Sequence, residues 1–150
     1  MKTKDLKLNL IENLNALEKS IQWLNRSYNI CKEIGIKEEY TEEEFDAFET
    51  LTGRYARVTD LIIQKVFRSI DAVELEDGGT ILDVVNRAEK RELIDSVKRI
   101  REIKDLRNQI VHEYVIEDLK KIFAEVLKVT EELIVVNNNI RIYCKKHFNL

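Results

Sequence analysis

Apolar side chains recur every three or four residues along most of the chain, which is the period of an amphipathic helix. The first such stretch predicts a helix from about Asp5 to Glu33, and Gly35 then offers a residue that can close it in a left-handed conformation. Its apolar positions keep to one face (Leu10, Leu14, Leu17, Ile21, Leu24, Tyr28, Cys31). The pattern therefore predicts a long first helix with one buried face.

A second helix is predicted to begin at Thr41, because Thr41 followed three residues later by Glu44 is the sequence of a capping box. Gly53 lies inside this helix at a cost of about 1 kcal/mol relative to alanine, and close approach of a neighbouring helix would explain it. The apolar face of the helix is long (Phe45, Phe48, Leu51, Tyr55, Val58, Ile62, Val66, Ile70).

The pair Gly78-Gly79 is the clearest break in the pattern, and Thr80 with Asp83 predicts a short capped helix directly after it. A further main helix is predicted from about Glu92 to Val111 and a turn at about Glu113 to Ile116. The last helix carries its own apolar stripe up to Tyr143, before a basic tail (Lys145, Lys146, His147). Together these elements predict an all-α fold, an antiparallel up-and-down four-helix bundle with one short extra helix, in a single domain over 1–150.

Composition narrows the function classes. The net charge is −3, so no global basic field indicates nucleic acid, and any RNA contact must come from a local patch. One candidate RNA-binding strip lies off the apolar face of the second helix (Arg54, Arg57, Lys65, Arg68). The alternative is an ordinary solvated face, since Asp60 and Glu49 lie nearby.

Cofactor, metal and membrane signals are missing from the sequence. The cysteines, Cys31 and Cys144, are far apart and lack metal-ligand spacing, so a reduced pair in the cytoplasm is expected. The start of the chain lacks a signal-peptide core, and no apolar stretch approaches the ~20 residues that span a bilayer. Phosphate-binding glycine loops and serine-hydrolase or zinc-protease motifs are also missing. We therefore expect a cytoplasmic protein with no membrane contact, no bound metal and no cofactor.

The chemically richest stretch is 106–114, near the end of the fourth predicted helix. At 100° per residue Arg107 falls within the apolar arc, between Ile103 and Val111, where its charge is costly unless it is paired or meets a second chain or a ligand. A separate polar stripe follows the same helix (Arg101, Asp105, Asn108, His112). The stretch thus combines a fixed cation, an imidazole, a carboxamide and, at Tyr114, a phenol.

Arg107-Asn108-x-x-x-His112-x-Tyr114 resembles the R-N-x-x-x-H-x-Y signature of HEPN domains, in particular of the HepT-like branch. The resemblance implies a helical toxin that acts as a metal-independent endoribonuclease and is paired with a cognate minimal nucleotidyltransferase as antitoxin. It also implies that Tyr114 accepts AMP from that partner. A sister branch consists of non-catalytic subunits that present a substrate to a nucleotidyltransferase, and it remains the alternative.

RNA cleavage without a metal needs a base for the 2′-hydroxyl, an acid for the departing 5′-oxygen and a cation for the phosphate. His112 can move protons near neutral pH, Arg107 offers a planar fork to phosphate oxygens, and Asn108 can bond the imidazole or the substrate. One copy supplies a single imidazole, so a homodimer that joins two copies is expected, as in HEPN ribonucleases.

Each residue also has a structural interpretation. His112 can simply complement the dipole of a helix C-terminus, Arg107 can extend its charged end out of an apolar stem, and Tyr114 can be a packing aromatic. Trp23 lies beside the first helix's stripe, and packing or an interface is favoured for it over base stacking. A third possibility is a plain helical interaction module with a vestigial motif.

Overall fold

The computed structural model describes residues 2–150, and over these residues the chain is all-helical, without a β-strand. The helices are α1 (Thr3–Ile34), α2 (Glu42–Asp60), α3 (Phe67–Val73), α4 (Ile81–Lys90), α5 (Val97–His112) and α6 (Ile116–Phe148). A π-helical segment, Leu61–Val66, joins α2 to α3 without a break, so that the three form one long helix. The predicted all-α fold class is confirmed.

Two predicted helix starts are confirmed in atomic detail. The Thr41 hydroxyl accepts from the amide of Glu44, whose carboxylate accepts from the amide of Thr41. Thr80 and Asp83 make the same reciprocal pair at the start of α4. Each box satisfies two amides that have no partner within the helix, which is why these starts could be predicted from local sequence.

Helix α5 begins later than predicted, at Val97 rather than at about Glu92. Glu92 adopts a left-handed conformation with φ of 60°, which ends the preceding turn, and Leu93 and Ile94 are buried in the bend that follows. The Ser96 hydroxyl then accepts from the amide of Arg99 and caps α5. The apolar period continues through this bend, so periodicity alone could not reveal it.

Two other expectations are wrong. The basic residues predicted to form a tail belong to α6, which continues to Phe148 and ends at the left-handed Asn149. Gly53 is exposed, and a Cβ built on it would meet nothing within 4 Å, so close helix packing does not explain it.

Helix α1 runs antiparallel both to the long α2–α3 helix and to α6. Polar contacts with the α2–α3 helix fix the first direction, since Ser27 contacts Arg54 and Asn13 contacts Ser69. Contacts with α6 fix the second, since Tyr28 contacts Glu131 and Glu18 contacts Arg141. Helix α5 packs on α2, where the Tyr55 hydroxyl donates to the carbonyl of Ile103 at 2.9 Å. This contact brings the end of α5 close to the end of α2.

A buried ionic network holds the short helix α4 in place. The carboxylate of Asp71, at the end of α3, accepts from both Arg87 and Arg91, and its side chain is 2% exposed. Arg91 also binds Glu74, which accepts from the hydroxyl of Tyr143 in α6. A buried carboxylate needs such partners because desolvation of an unpaired charge is costly.

Candidate functional site

Arg107 pairs with an acid of its own chain. Its Nη2 lies 2.8 Å from Oδ2 of Asp60, the last residue of α2, and its Nη1 lies 3.3 Å from Oδ1 of Asn108. Its Nε is buried and, within residues 2–150, has no hydrogen-bond partner. The charge expected to need a counter-charge therefore has one within the chain, while the buried Nε makes no hydrogen bond to the described part of the chain.

His112 is the last residue of α5, and its side chain is exposed. Glu113 leaves the helix in an extended conformation, and its carboxylate accepts from the amides of Tyr114 and Val115. This small turn projects Tyr114 into solvent, where the residue is 84% exposed. His112 and Tyr114 thus flank one exposed corner of the molecule, and neither is a packing residue.

Asn108 does not support the imidazole in this arrangement. Its carboxamide oxygen accepts from Arg107, and the part of the chain that the structure describes shows no bond between Asn108 and His112. Asn108 therefore contacts the arginine, whereas the predicted contact with the imidazole is not formed among the described residues.

The corner that carries the motif is surrounded by exposed apolar side chains. These residues come from the end of α5, the turn and the start of α6 (Val111, Tyr114, Val115, Ile116). Contiguous apolar residues around a polar group are typical of interaction surfaces rather than of ordinary solvated helix ends.

One side of α5, the groove that it forms with α6, is acidic. The groove between α5 and α6 has a volume of about 590 Å³ and contains five acidic residues against two basic ones (Glu102, Asp105, Glu113, Asp118, Glu125; Arg99, Lys121). Such a wall repels a phosphate chain. An anionic substrate at the motif would therefore approach over α2, the side on which Arg107 lies.

The four cations of the predicted strip do not act as one unit. Arg54 donates to the Trp23 carbonyl and to the Ser27 hydroxyl, and its guanidinium lies 4.9 Å from the centroid of the Trp23 ring. Arg57 and Lys65 are exposed and Arg68 is half-buried. Of the four, Arg57 is connected to the motif most directly. It lies one helical turn before Asp60, the residue that binds Arg107.

Two features of the site were not predicted from the sequence. The sequence indicates Asp60 only as an acid near the cationic strip, whereas the structure shows that it pairs with Arg107. The π-helical segment begins directly after Asp60, and such segments are frequent at functional sites.

No metal site accompanies the motif: within residues 2–150, no group of three histidine, cysteine or acidic side chains could hold an ion. Over the same residues, no helix is both long and apolar enough to cross a membrane. Both cysteines are buried free thiols.

Comparison with known proteins adds no relative: no family model, no curated protein and no solved structure matches the chain. The interpretation of the motif accordingly depends on its residues and on their geometry.

Proposed function

We propose that the protein is a HepT-like HEPN toxin, a metal-independent endoribonuclease that is neutralised by a cognate minimal nucleotidyltransferase. The observation that carries the proposal is the exposed corner with His112 and Tyr114 at the end of the helix that also bears Arg107. In this proposal α1, the α2–α3 helix, α5 and α6 are the main helices of an up-and-down bundle, and α4 is its short extra helix.

In the proposed reaction the imidazole of His112 exchanges protons with the RNA, and Arg107 stabilises the charge on the phosphate. The Arg107 side chain is 28% exposed, so part of its guanidinium can reach a phosphate oxygen. Asn108 holds the other end of the guanidinium and limits its rotation. Asp60 competes with the phosphate for Arg107, so substrate binding must weaken or share that ion pair.

The second imidazole comes, in this proposal, from a second copy in a two-fold dimer. Since Asp60 pairs with Arg107 within the chain, the arginine no longer requires a partner chain. The exposed apolar residues around the turn support the dimer instead, because their burial would bring two copies of His112 together.

Cleavage of RNA by the purified protein is the direct test, with His112→Ala as the principal variant. His147→Ala is a matched control, because it removes the chain's other histidine from the far end of α6. We expect loss of cleavage in His112→Ala and in Arg107→Ala, no change in His147→Ala, and no effect of EDTA. Cleavage that survives in His112→Ala, or that stops with the chelator, would exclude this mechanism.

The alternative function is a non-catalytic subunit that presents a substrate to a nucleotidyltransferase. It is favoured by the double engagement of Arg107 with Asp60 and Asn108, which leaves the guanidinium only partly available for phosphate. Stable RNA binding without cleavage by the unmodified dimer would support this alternative. If the protein binds neither RNA nor a nucleotidyltransferase, the motif is vestigial.

A further inference from the structure

An exposed aromatic ring lies among unpaired cations on the outer seam between α1 and α2. Trp23 is 56% exposed, although its ring is large and apolar. One face of the ring is covered by the guanidinium of Arg54, 4.9 Å from the centroid. Arg54 is itself held by the Trp23 carbonyl and the Ser27 hydroxyl, at 3.1 and 2.6 Å. The indole is therefore held in place by its neighbour while much of it stays open to solvent.

The surroundings of Trp23 are cationic, although the chain has a net charge of −3. One turn before and after it on α1 stand Lys19 and Arg26, both exposed. The other positions at that spacing are serines, so no carboxylate is next to the ring along α1. Among residues 2–150, none of the four surrounding cations forms an ion pair (Lys19, Arg26, Arg54, Arg57).

Arg57 connects this seam to the motif. It lies one turn beyond Arg54 on α2, and Asp60, which holds Arg107, lies one turn beyond Arg57. The step from Arg54 to Asp60 is a rise of about 9 Å along the helix. Gly53, one turn before Arg57, leaves open space above the α2 backbone. A strand that runs from Arg107 along α2 to Trp23 thus passes Asp60, Arg57 and Arg54 in turn. The groove on the α6 side of α5 is acidic.

We propose that Trp23, backed by Arg54 and flanked by Arg57, binds a base of single-stranded RNA outside the cleavage motif. Single-strand sites combine cations that follow the phosphates with aromatic rings on which bases stack, and both are present here. The favoured ligand is RNA rather than a protein because the patch offers charge complementarity to a polyanion. The choice of RNA rests on the proposed function, but the binding does not require cleavage.

Trp23 is the only tryptophan, so its fluorescence reports directly on the proposed site. The experiment titrates the full-length His112→Ala protein with a single-stranded oligoadenylate of about ten nucleotides, within the range of known site sizes. We expect saturable quenching, no quenching by the same strand in a duplex, and none by inorganic polyphosphate, which has charge but no bases. RNA binding that leaves the fluorescence unchanged would overturn the proposal.

Variants extend the test to affinity, measured by anisotropy of labelled RNA. We expect Trp23→Leu to weaken binding by roughly fivefold to a hundredfold, the usual effect of losing one stacked base. Arg57→Gln should lower the slope of log affinity against log salt by about 0.7, the value for one phosphate contact on a single strand. Lys145→Gln is the matched control, since it removes an exposed charge elsewhere and should change neither quantity.

The outcomes separate this inference from the proposed function. Cleavage that depends on His112 together with unchanged affinity in Trp23→Leu would overturn the RNA site and leave the ribonuclease intact. Quenching without any cleavage would support the RNA site and count against the ribonuclease. A fluorescence change that follows protein concentration in the absence of RNA would assign Trp23 to a protein interface and overturn the proposal.

Discussion

Arg107 Nη2 lies 2.8 Å from Oδ2 of Asp60, and this ion pair ties the end of α5 to the last residue of α2. The pair is not sealed in the core, since the side chains are 28% and 45% exposed. Partly exposed pairs of this kind contribute about 1 kcal/mol or less to the free energy of unfolding. Its effect on binding matters more than its strength, because Asp60 competes with any anion for the guanidinium of Arg107.

Asp60→Asn should therefore change ligand binding more than stability. We expect the free energy of unfolding to fall by about 1 kcal/mol at most, because the pair is open to solvent. RNA should bind more tightly to the variant, since a negative charge is removed and Arg107 is freed. Denaturant unfolding and anisotropy on the His112→Ala background measure the two effects. Weaker RNA binding in Asp60→Asn would mean that the carboxylate positions Arg107 for the ligand instead of competing with it.

Asp71→Asn should change stability more than ligand binding, which is the opposite of the effect expected for Asp60→Asn. Asp71 is buried and accepts from Arg87 and Arg91, so its neutralisation removes the acid paired with Arg87 and leaves Arg91 with Glu74. Breaking a buried pair from one side costs about 3 kcal/mol or more. Urea unfolding should show this loss, and cleavage at temperatures well below the new midpoint should be retained. A loss no larger than that of Asp60→Asn would show that water solvates the network.

Gly53→Ala should stabilise the protein. Gly53 lies inside α2 with a negative φ and open space where a Cβ would be placed, so alanine meets no steric penalty. Helical glycine costs roughly 0.5–1 kcal/mol relative to alanine, and we expect a gain of that size in the free energy of unfolding. Gly35→Ala is the informative comparison: Gly35 has a φ of 78°, so alanine there should destabilise.

The features that could be predicted from the sequence depend on residues within one helical turn of each other. Thr41 with Glu44 and Thr80 with Asp83 act within one turn, so their caps could be identified without knowledge of the fold. Glu92 could not be identified as a break, because a non-glycine residue in the left-handed region has no local signal of this kind. The partner of Arg107 also could not be chosen, since Asp60 lies on another helix and reaches it only through the packing of α5 on α2.

Alkaline pH should destabilise the protein through its buried phenols. Burial, together with the hydrogen bond to Glu74 and its charge, raises the pKa of Tyr143 from 10.0 to about 12. Burial and Glu131 raise the pKa of Tyr28 from 10.0 to about 12 in the same way. Because the unfolded chain releases these protons first, their contribution is complete below about pH 10 and disappears as the pH approaches about 12.

Variants isolate this contribution. In denaturant unfolding at a series of pH values, Tyr143→Phe and Tyr28→Phe should each lose less stability above pH 10 than the wild type does. Tyr114→Phe removes an exposed hydroxyl and is the control. An alkaline loss of the same size in all three variants and the wild type would assign it to other groups, such as the buried thiols. Burial raises the pKa of Cys31 to about 11 and that of Cys144, where the charge of Glu74 adds to it, to about 12.

Tyr114 should be the residue through which the partner silences the protein. Of the five tyrosines it is the one that stands in solvent, since Tyr28 and Tyr55 are buried and Tyr40 and Tyr143 are half-buried. In the proposed modification the phenol oxygen attacks the α-phosphorus of ATP in the nucleotidyltransferase, and pyrophosphate leaves. Each AMP then places a phosphodiester charge and a nucleoside beside Arg107 and His112, where the charge competes for the arginine and repels RNA phosphates.

Intact mass decides between this modification and simple occlusion of the site. After incubation with a minimal nucleotidyltransferase, ATP and Mg²⁺, we expect mass gains in units of AMP that disappear in Tyr114→Phe. Tyr40→Phe is the matched control, because it removes a different phenol hydroxyl and should leave the mass gain intact. Lost activity at unchanged mass would mean that the partner acts by covering the corner. A gain that persists in Tyr114→Phe would place the acceptor elsewhere, since exposure is the physical reason for choosing this phenol.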